Sequence, residues 1–470
     1  MGVLASVRPW IDRGGLAPSW FRGTVDEEPF LSPTRPPACW LAGRVVASPG
    51  IAPHLHMVHR SGVWVANGGK DVGSWTAPLL VPNNSAFANL YCESPLLFAC
   101  TEGCSAAAAS PTRAFVVPHK YGSSFSPFMN DLTNRARSSG WDVLELRDLT
   151  HGRRSYIPDV LAFYILDALG YDALHSWRKS LNGSSSTTHL SGSSVFILIV
   201  EDIMTPSERY VLRNAARWFD ALLARYPAST MSEVVGHYHV KPQRELFAFP
   251  HAACESFFRP LNFSAKTESV LLSGTMLVAG GHVYPLRVAA TALLPSGLVS
   301  KRKVTTKRHN FSDPQQQAKD YAQAIARYHI AIAGCRQWHQ WLWTVAKHFE
   351  IIAAGTAMLT DVAAAPYLKP LGLLPGRHYL ESTPDNLSST LRYWLAPEQQ
   401  AELQAITARG HRVVRRHHSG AARARYLNDV SSALWAEKYP ETSGCPQCAG
   451  TLRRAITTQP EVPCVDPNPE

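Results

Sequence analysis

From residue 114 onward, short apolar runs alternate with polar stretches of helical length. Residues 114–117 (AFVV) read as a buried strand, 118–124 as a polar loop bearing a glycine, 127–139 as a helix and 141–146 as a second strand. Strand, loop, helix and strand in that order form the unit of a parallel sheet. The wholly apolar run 195–200 (VFILIV) has strand length and ends in Glu201-Asp202. Thr205-Pro206-Ser207-Glu208 has the layout of a capping box with proline at the first helical position. Val211, Ala215, Trp218, Leu222 and Tyr226 then recur at helical spacing until Pro227.

A second unit of the same kind begins near residue 269. The pattern predicts strands at 270–272, 328–333 and 357–361, and helices at 313–327 and 338–354, the latter closed by Gly355. Further helices are expected at 387–395, 397–409 and 421–435, and the proline-bearing last stretch reads as a tail. The expected fold class is therefore α/β, with two successive Rossmann-like sheets joined near 250–268. Ligands of such sheets sit beyond the carboxyl ends of the strands, so two of them facing one another enclose a cleft. Residues 1–112 are rich in Pro, Gly and Ser, carry a short candidate strand at 63–66, and read as an irregular N-terminal extension. Residues 182–194 read as a polar surface insertion, and 106–110 as a linker.

Composition narrows the class. With 470 residues, 45% hydrophobic and 17% charged, the chain has enough apolar surface to bury large cores, which excludes disorder throughout. No apolar run approaches the ~18 residues of a membrane span. The N-terminus lacks the apolar region of a signal peptide, which predicts a cytoplasmic protein. Sequons at Asn83, Asn182, Asn262, Asn310 and Asn386 point instead to the secretory route. Met1-Gly2 through Ser6 fits a myristoylation signal in form.

The net charge of +10 suits a polyanionic partner, with clusters at 301–309 and 409–425. No aromatics interleave these clusters, so nucleic acid is a weak reading. The nine cysteines are too sparse for a disulfide scaffold. Cys445 and Cys448 have zinc-knuckle spacing but no second pair nearby, and no metal site is expected.

Residues 347–361, KHFEIIAAGTAMLTD, resemble the donor-sugar segment of GT-B glycosyltransferases, in particular CgeB-like members of the glycosyl-transferase group 1 superfamily. Tyr379-Leu380, 386–395, 405–418 and 423–427 fit the positions that follow that segment in the family. Upstream, Phe249-Pro250-His251 through Pro260 looks like the family's hinge. Ser273-Gly274 and Tyr284-Pro-Leu-Arg287 look like its first C-terminal strand and loop. The likeness spans about 114–430 and is densest from 247. It implies a GT-B fold with an N-terminal extension (1–112), an acceptor domain (113–250), a nucleotide-sugar donor domain (251–430) and a C-terminal tail (431–470).

It further implies a hexosyl- or pentosyltransferase. The donor would be a nucleotide sugar, the acceptor a glycan, protein or lipid hydroxyl, and no cofactor would be needed. Glu350 would accept hydrogen bonds from ribose, since a carboxylate offers two oxygens to paired hydroxyls. Arg287 would fork onto the diphosphate. Gly355 and Thr356 would bring backbone N–H groups to the ligand, with Gly274, Thr275, Lys347, Arg308 and His309 as further donor-side candidates. Glu201 and Asp202 stand at a strand end where a base could take the acceptor's proton; His119 and His251 are alternatives. The E-x7-E pattern of retaining members is absent, because Leu342 occupies its first position. No Asp-x-Asp motif ends a strand, which predicts metal-independent chemistry. A non-catalytic binding protein built on the same fold is the alternative reading.

Overall fold

The apolar runs are strands in a computed structural model of the chain, and they pair in parallel. The structure describes residues 65–66, 70–71, 111–117, 127–150, 158–165, 174, 176–177, 194–200, 219–225, 246–274, 277–278, 282–301, 314–338 and 341–439. Within the extension, Val65–Ala66 and Lys70–Asp71 form a short antiparallel pair. The expected linker at 106–110, the candidate zinc ligands Cys445 and Cys448, and the C-terminal tail lie outside the described residues.

The first lobe comprises β1 (Arg113–Val117), α1 (Pro127–Ser138), β2 (Asp142–Glu145), α2 (Leu146–Thr150), β3 (Val160–Ile165), β4 (Val195–Val200), β5 (Ala221–Ala224) and β6 (Leu246–Ala248). Its six strands run in the order β2-β1-β3-β4-β5-β6, every neighbouring pair parallel. All residues of β4 are buried, which explains why its sequence does not alternate: a parallel strand is covered on both faces. Leu222, expected on the apolar face of a helix, lies in β5 instead. A four-residue apolar run has no period of its own and takes the state that the neighbouring strand imposes.

The second lobe follows with β7 (Glu268–Leu272), β8 (Leu277–Val278), β9 (His282–Val283), α3 (Pro285–Thr291), β10 (Ser300–Lys301), α4 (Pro314–Ala326) and β11 (Tyr328–Ile332). Then come β12 (Arg336–Trp338), β13 (Trp341–Trp343), α5 (Lys347–Ala353), β14 (Ala357–Asp361), α6 (Ala365–Leu368), β15 (Leu380–Ser382), α7 (Leu387–Leu395), α8 (Gln400–His417) and α9 (Gly420–Lys438). The parallel sheet has the order β10-β7-β11-β14-β15. A small antiparallel sheet, β8-β9-β12-β13, grows from the loops after β7 and β11. The expected helix over 338–354 is thus a hairpin followed by α5 alone. Its tryptophans favour the extended chain, and only the stretch from Lys347 onward continues as a helix.

Both sheets place their first strand between the second and the third. The chain order therefore reverses beside the first strand, β1 in one lobe and β7 in the other, and this reversal is the switch point at which α/β sheets hold ligands. The chain crosses between lobes through residues 249–260 and returns at His418–Gly420, where Ala253 bridges Ser419. The last helix, α9, then packs against α1 and β4 of the first lobe. Lys438 donates to Ser194 O at 2.7 Å and Arg113 to Ser432 Oγ at 2.9 Å. The expected donor domain runs to 430, whereas α9, from Gly420 onward, packs on the first lobe. No helix among the described residues is long and apolar enough to cross a membrane.

One buried cation secures the crossing. Arg423, fully buried on α9, donates to Pro250 O (2.8 Å), His251 O (2.8 Å) and His417 O (2.9 Å). Its Nη2 also lies 3.2 Å from His418 Nδ1, and His418 Nε2 lies 2.7 Å from Leu371 O. Guanidinium nitrogens only donate, so His418 Nδ1 accepts and Nε2 carries the proton. Burial pushes the His418 pKa down to about 3. In the unfolded chain the ring titrates near 6.5, so its contribution to stability is complete above that pH and is lost as the pH falls towards 3. Between pH 7 and pH 5, urea denaturation of the wild type should show about 2 kcal/mol more loss of stability than His418→Gln shows. Equal losses would mean that the ring is not held neutral.

Candidate active site

Two glycines mark the switch point of the second lobe. Gly274 follows β7 and Gly334 follows β11, with φ of 93° and 63°, in the left-handed region that favours glycine. Their missing side chains are filled by cations. A Cβ on Gly274 would stand 2.9 Å from Lys347 Cε and 3.1 Å from Arg287 Nη1; one on Gly334 would stand 3.0 Å from Arg287 Cγ. The bare backbone is what lets the two basic side chains lie against the strand ends.

Each cation is also aimed by an aromatic residue. Arg287, on α3, is 2% exposed, donates from Nε to Ala333 O, and lies 4.0 Å over the Tyr284 ring. Lys347, the first residue of α5, donates to the Tyr321 hydroxyl and lies 4.4 Å from that ring's centroid. The Tyr321 hydroxyl accepts from lysine and is also hydrogen-bonded to Ser273 Oγ, 3.1 Å away. Lys347 forms no ion pair among the described residues.

Glu350 stands one turn along α5 from Lys347. Its half-buried carboxylate accepts no hydrogen bond from a described residue. Burial raises its pKa above the ordinary value, while Lys347 and Arg287 draw it back. Asp361, at the end of β14, is already occupied, accepting from the Cys335 amide. Burial pushes its pKa up to about 6.

Behind α5, fully buried His348 holds the helix to its sheet. Its Nε2 lies 2.9 Å from Thr360 Oγ1 and its Nδ1 3.1 Å from the Val345 amide. Burial lowers its pKa to about 3, so it is a neutral strut. The whole arrangement suits an anion with several oxygens. An arginine fork and an ammonium meet it over open backbone, and a carboxylate receives neighbouring hydroxyls.

Of the expected site residues, the fold brings together Gly274, Arg287, Lys347 and Glu350. It separates Gly355 and Thr356 from them. Both precede β14, at the amino end of the sheet, because α5 carries the chain from one end of the strands to the other. Thr356 is fully buried there, donating to Ile325 O at 2.9 Å and accepting from Lys266 Nζ at 3.3 Å. It is a tie between strands, and Gly355 packs on Leu261 beside it. Thr275, His309, Arg308, Glu201, Asp202 and His119 lie outside the described residues. Sequence reasoning missed Ser273 and Tyr284 as site residues, although both stood in quoted segments, and missed Gly334 and Tyr321 outright. Gly334 had a local signal, a glycine directly after a strand. Tyr321 had none, being 48 residues from Ser273 and 26 from Lys347.

Known proteins resemble the chain at two levels. In structure it is similar to a sucrose-phosphate synthase from Thermosynechococcus elongatus, at 10% identity and a TM-score of 0.47, over 69% of this chain and 99% of that one. An alpha-glucosyltransferase in complex with UDP-glucose and DNA containing an abasic site is similar at 10% identity and a TM-score of 0.47, over 69% and 100%. The Anabaena HepE protein in complex with UDP and glucose is similar at 9% identity and a TM-score of 0.44, over 67% and 98%. No curated protein matches the chain. In sequence, residues 300–429, which contain Lys347 and Glu350, match the family described as glycosyl transferase-like.

Proposed function

We propose that the chain is a glycosyltransferase that moves a hexosyl or pentosyl group from a nucleoside-diphosphate sugar to a hydroxyl acceptor. The observation that carries this reading is the pair of cations laid over Gly274 and Gly334 at the switch point, with Glu350 one turn away. The match of residues 300–429 to a glycosyl transferase-like family supports it.

In this reading, Arg287 and Lys347 hold the diphosphate. Their charge counts most as the bond from sugar to phosphate breaks and negative charge gathers on the departing oxygen. The two fixed cations supply the electrophilic stabilisation that a bound divalent cation supplies elsewhere, so the proposed chemistry needs no metal. Glu350 accepts from the ribose hydroxyls and sets the nucleotide's register. Tyr321 and Tyr284 keep the cations aimed before the ligand arrives, which lowers the ordering cost of binding. The acceptor hydroxyl of a glycan, protein or lipid enters from the first lobe. Glu201 and Asp202, which follow β4 in the chain, are the proposed candidates for taking its proton.

A thermal-shift screen against UDP, GDP, ADP and CMP tests the reading. A diphosphate at 100 times its dissociation constant stabilises the native state by about 2.7 kcal/mol. We expect at least one diphosphate to raise the melting temperature and CMP to do so least. Failure of all four sinks the proposal. For the nucleotide that binds, Glu350→Ala should remove the preference for ribose over 2′-deoxyribose, an effect of roughly tenfold for a charged hydrogen bond. Gly274→Ala should weaken diphosphate binding at least tenfold, because the new methyl occupies the place of the two cations. Thr356→Val is the control. It should cost about 1–3 kcal/mol of stability in urea denaturation and leave diphosphate affinity unchanged. Nucleotide binding without sugar transfer to any acceptor would favour the binding-protein alternative.

A further inference from the structure

A histidine at the lobe junction is fixed in one tautomer by two arginines. His251 begins the crossing segment, directly after Pro250. Arg423 of α9 takes its carbonyl oxygen at 2.8 Å. Arg225, which follows the carboxyl end of β5, presents Nη1 to the ring's Nδ1 at 2.7 Å. Arg225 is itself held in place. It is buried, with Nη2 3.7 Å from Met129 Sδ and the guanidinium 5.1 Å from the Phe128 ring centroid, both on α1. A guanidinium has donors and no acceptor, so Nδ1 must accept and the ring proton sits on Nε2. Nε2 makes no hydrogen bond to a described residue.

From this we infer that Arg225 is a positioning residue that locks His251 as an Nε2–H donor, and that this donor serves a hydroxyl oxygen of the sugar being transferred. The inference rests on the proposed function and extends it to the sugar. His251 stands where the first lobe's strand ends meet the second lobe. Further along the same segment, the Glu255 amide donates to Asp131 Oδ2 of α1 at 3.1 Å and the Arg259 amide to Ala353 O of α5, the helix that carries Glu350, at 3.1 Å. The segment therefore runs between the nucleotide side, marked by Glu350, and the side from which the acceptor would come. The part of a nucleotide sugar lying between those two is the sugar.

The same geometry removes His251 from the candidates for the catalytic base. A base needs a free lone pair, and the only one on this ring is spent on Arg225. The direction of its titration agrees: burial first, then Arg225 and His348, hold the imidazole neutral well below its ordinary pKa.

Calorimetry of the wild type with three pairs (UDP and UDP-glucose, GDP and GDP-mannose, ADP and ADP-glucose) identifies the pair that binds. For that pair, His251→Leu should keep the affinity for the free diphosphate within about twofold and lose roughly tenfold for the sugar nucleotide. His251→Gln, whose amide places an N–H close to the position of Nε2, should recover most of the loss. Equal losses for both ligands, or no loss for either, would overturn the assignment. A wild type that binds sugar nucleotides but no better than it binds diphosphates, with no sensitivity to His251, overturns it too. A wild type that binds none of the three diphosphates overturns the proposed function, and this inference with it. A nitrogen-15 histidine spectrum of the unaltered protein checks the tautomer independently of folding in the variants. The His251 proton should appear on Nε2; a proton on Nδ1 would refute the lock.

Discussion

The junction between the lobes depends on the burial of the Arg423 guanidinium. Its bonds to the carbonyls of residues 250, 251 and 417 tie the outgoing crossing to the returning one. Burial alone lowers the pKa of this arginine well below the ordinary value, so the fold carries a desolvated charge that these carbonyls must satisfy. No apolar side chain could do the same work, because it would leave three carbonyl oxygens unpaired. The consequence reaches past the hinge. The same guanidinium orients His418 and fixes the backbone of His251, so the position of the junction and the chemistry of its histidines follow from one group.

Much of this was legible in the sequence where the physics is local. The run 195–200 is a strand because an unbroken apolar stretch of that length fits a sheet covered on both faces. Misreadings came where local pattern is degenerate. Residues 338–354 carry apolar spacing compatible with a helix, yet their first third belongs to a hairpin whose β12 strand pairs with β9, more than fifty residues upstream. The run 160–165 is not among the expected strands, yet β3 lies inside its sheet, between β1 and β4. The hairpin's partner leaves no trace within its own window, whereas 160–165 carries the same unbroken apolar signal as 195–200.

The site divides along the same line. Arg287, Lys347, Gly274 and Glu350, which the fold brings together, each stand in a segment that resembles a known pattern. Gly355 and Thr356 were drawn in by the same resemblance, through nearness in the chain. Nearness in the chain misleads across a helix. At ~1.5 Å per residue, the seven residues of α5 move the backbone about 10 Å, from the ligand end of the strands to the other. A motif spanning strand, helix and strand therefore always mixes residues from both ends of a sheet, and only the carboxyl-end half can meet a ligand.

The remaining question is why the site keeps two cations so close together with no ion pair on Lys347 among the described residues. A carboxylate placed between them would stabilise the empty protein, but an incoming anion would then have to displace it. The aromatic rings are the alternative. The ring quadrupole of Tyr284 or Tyr321 attracts its cation without placing a further negative charge in the path of an incoming anion. Burial meanwhile disfavours the charge on Arg287. An oxyanion arriving there restores what desolvation removed, so the ligand gains from both attraction and relief. The glycines complete the logic, since they alone allow the ligand, the backbone and both cations into one small volume. A site built this way favours anions over neutral ligands before any hydrogen bond to base or sugar is counted.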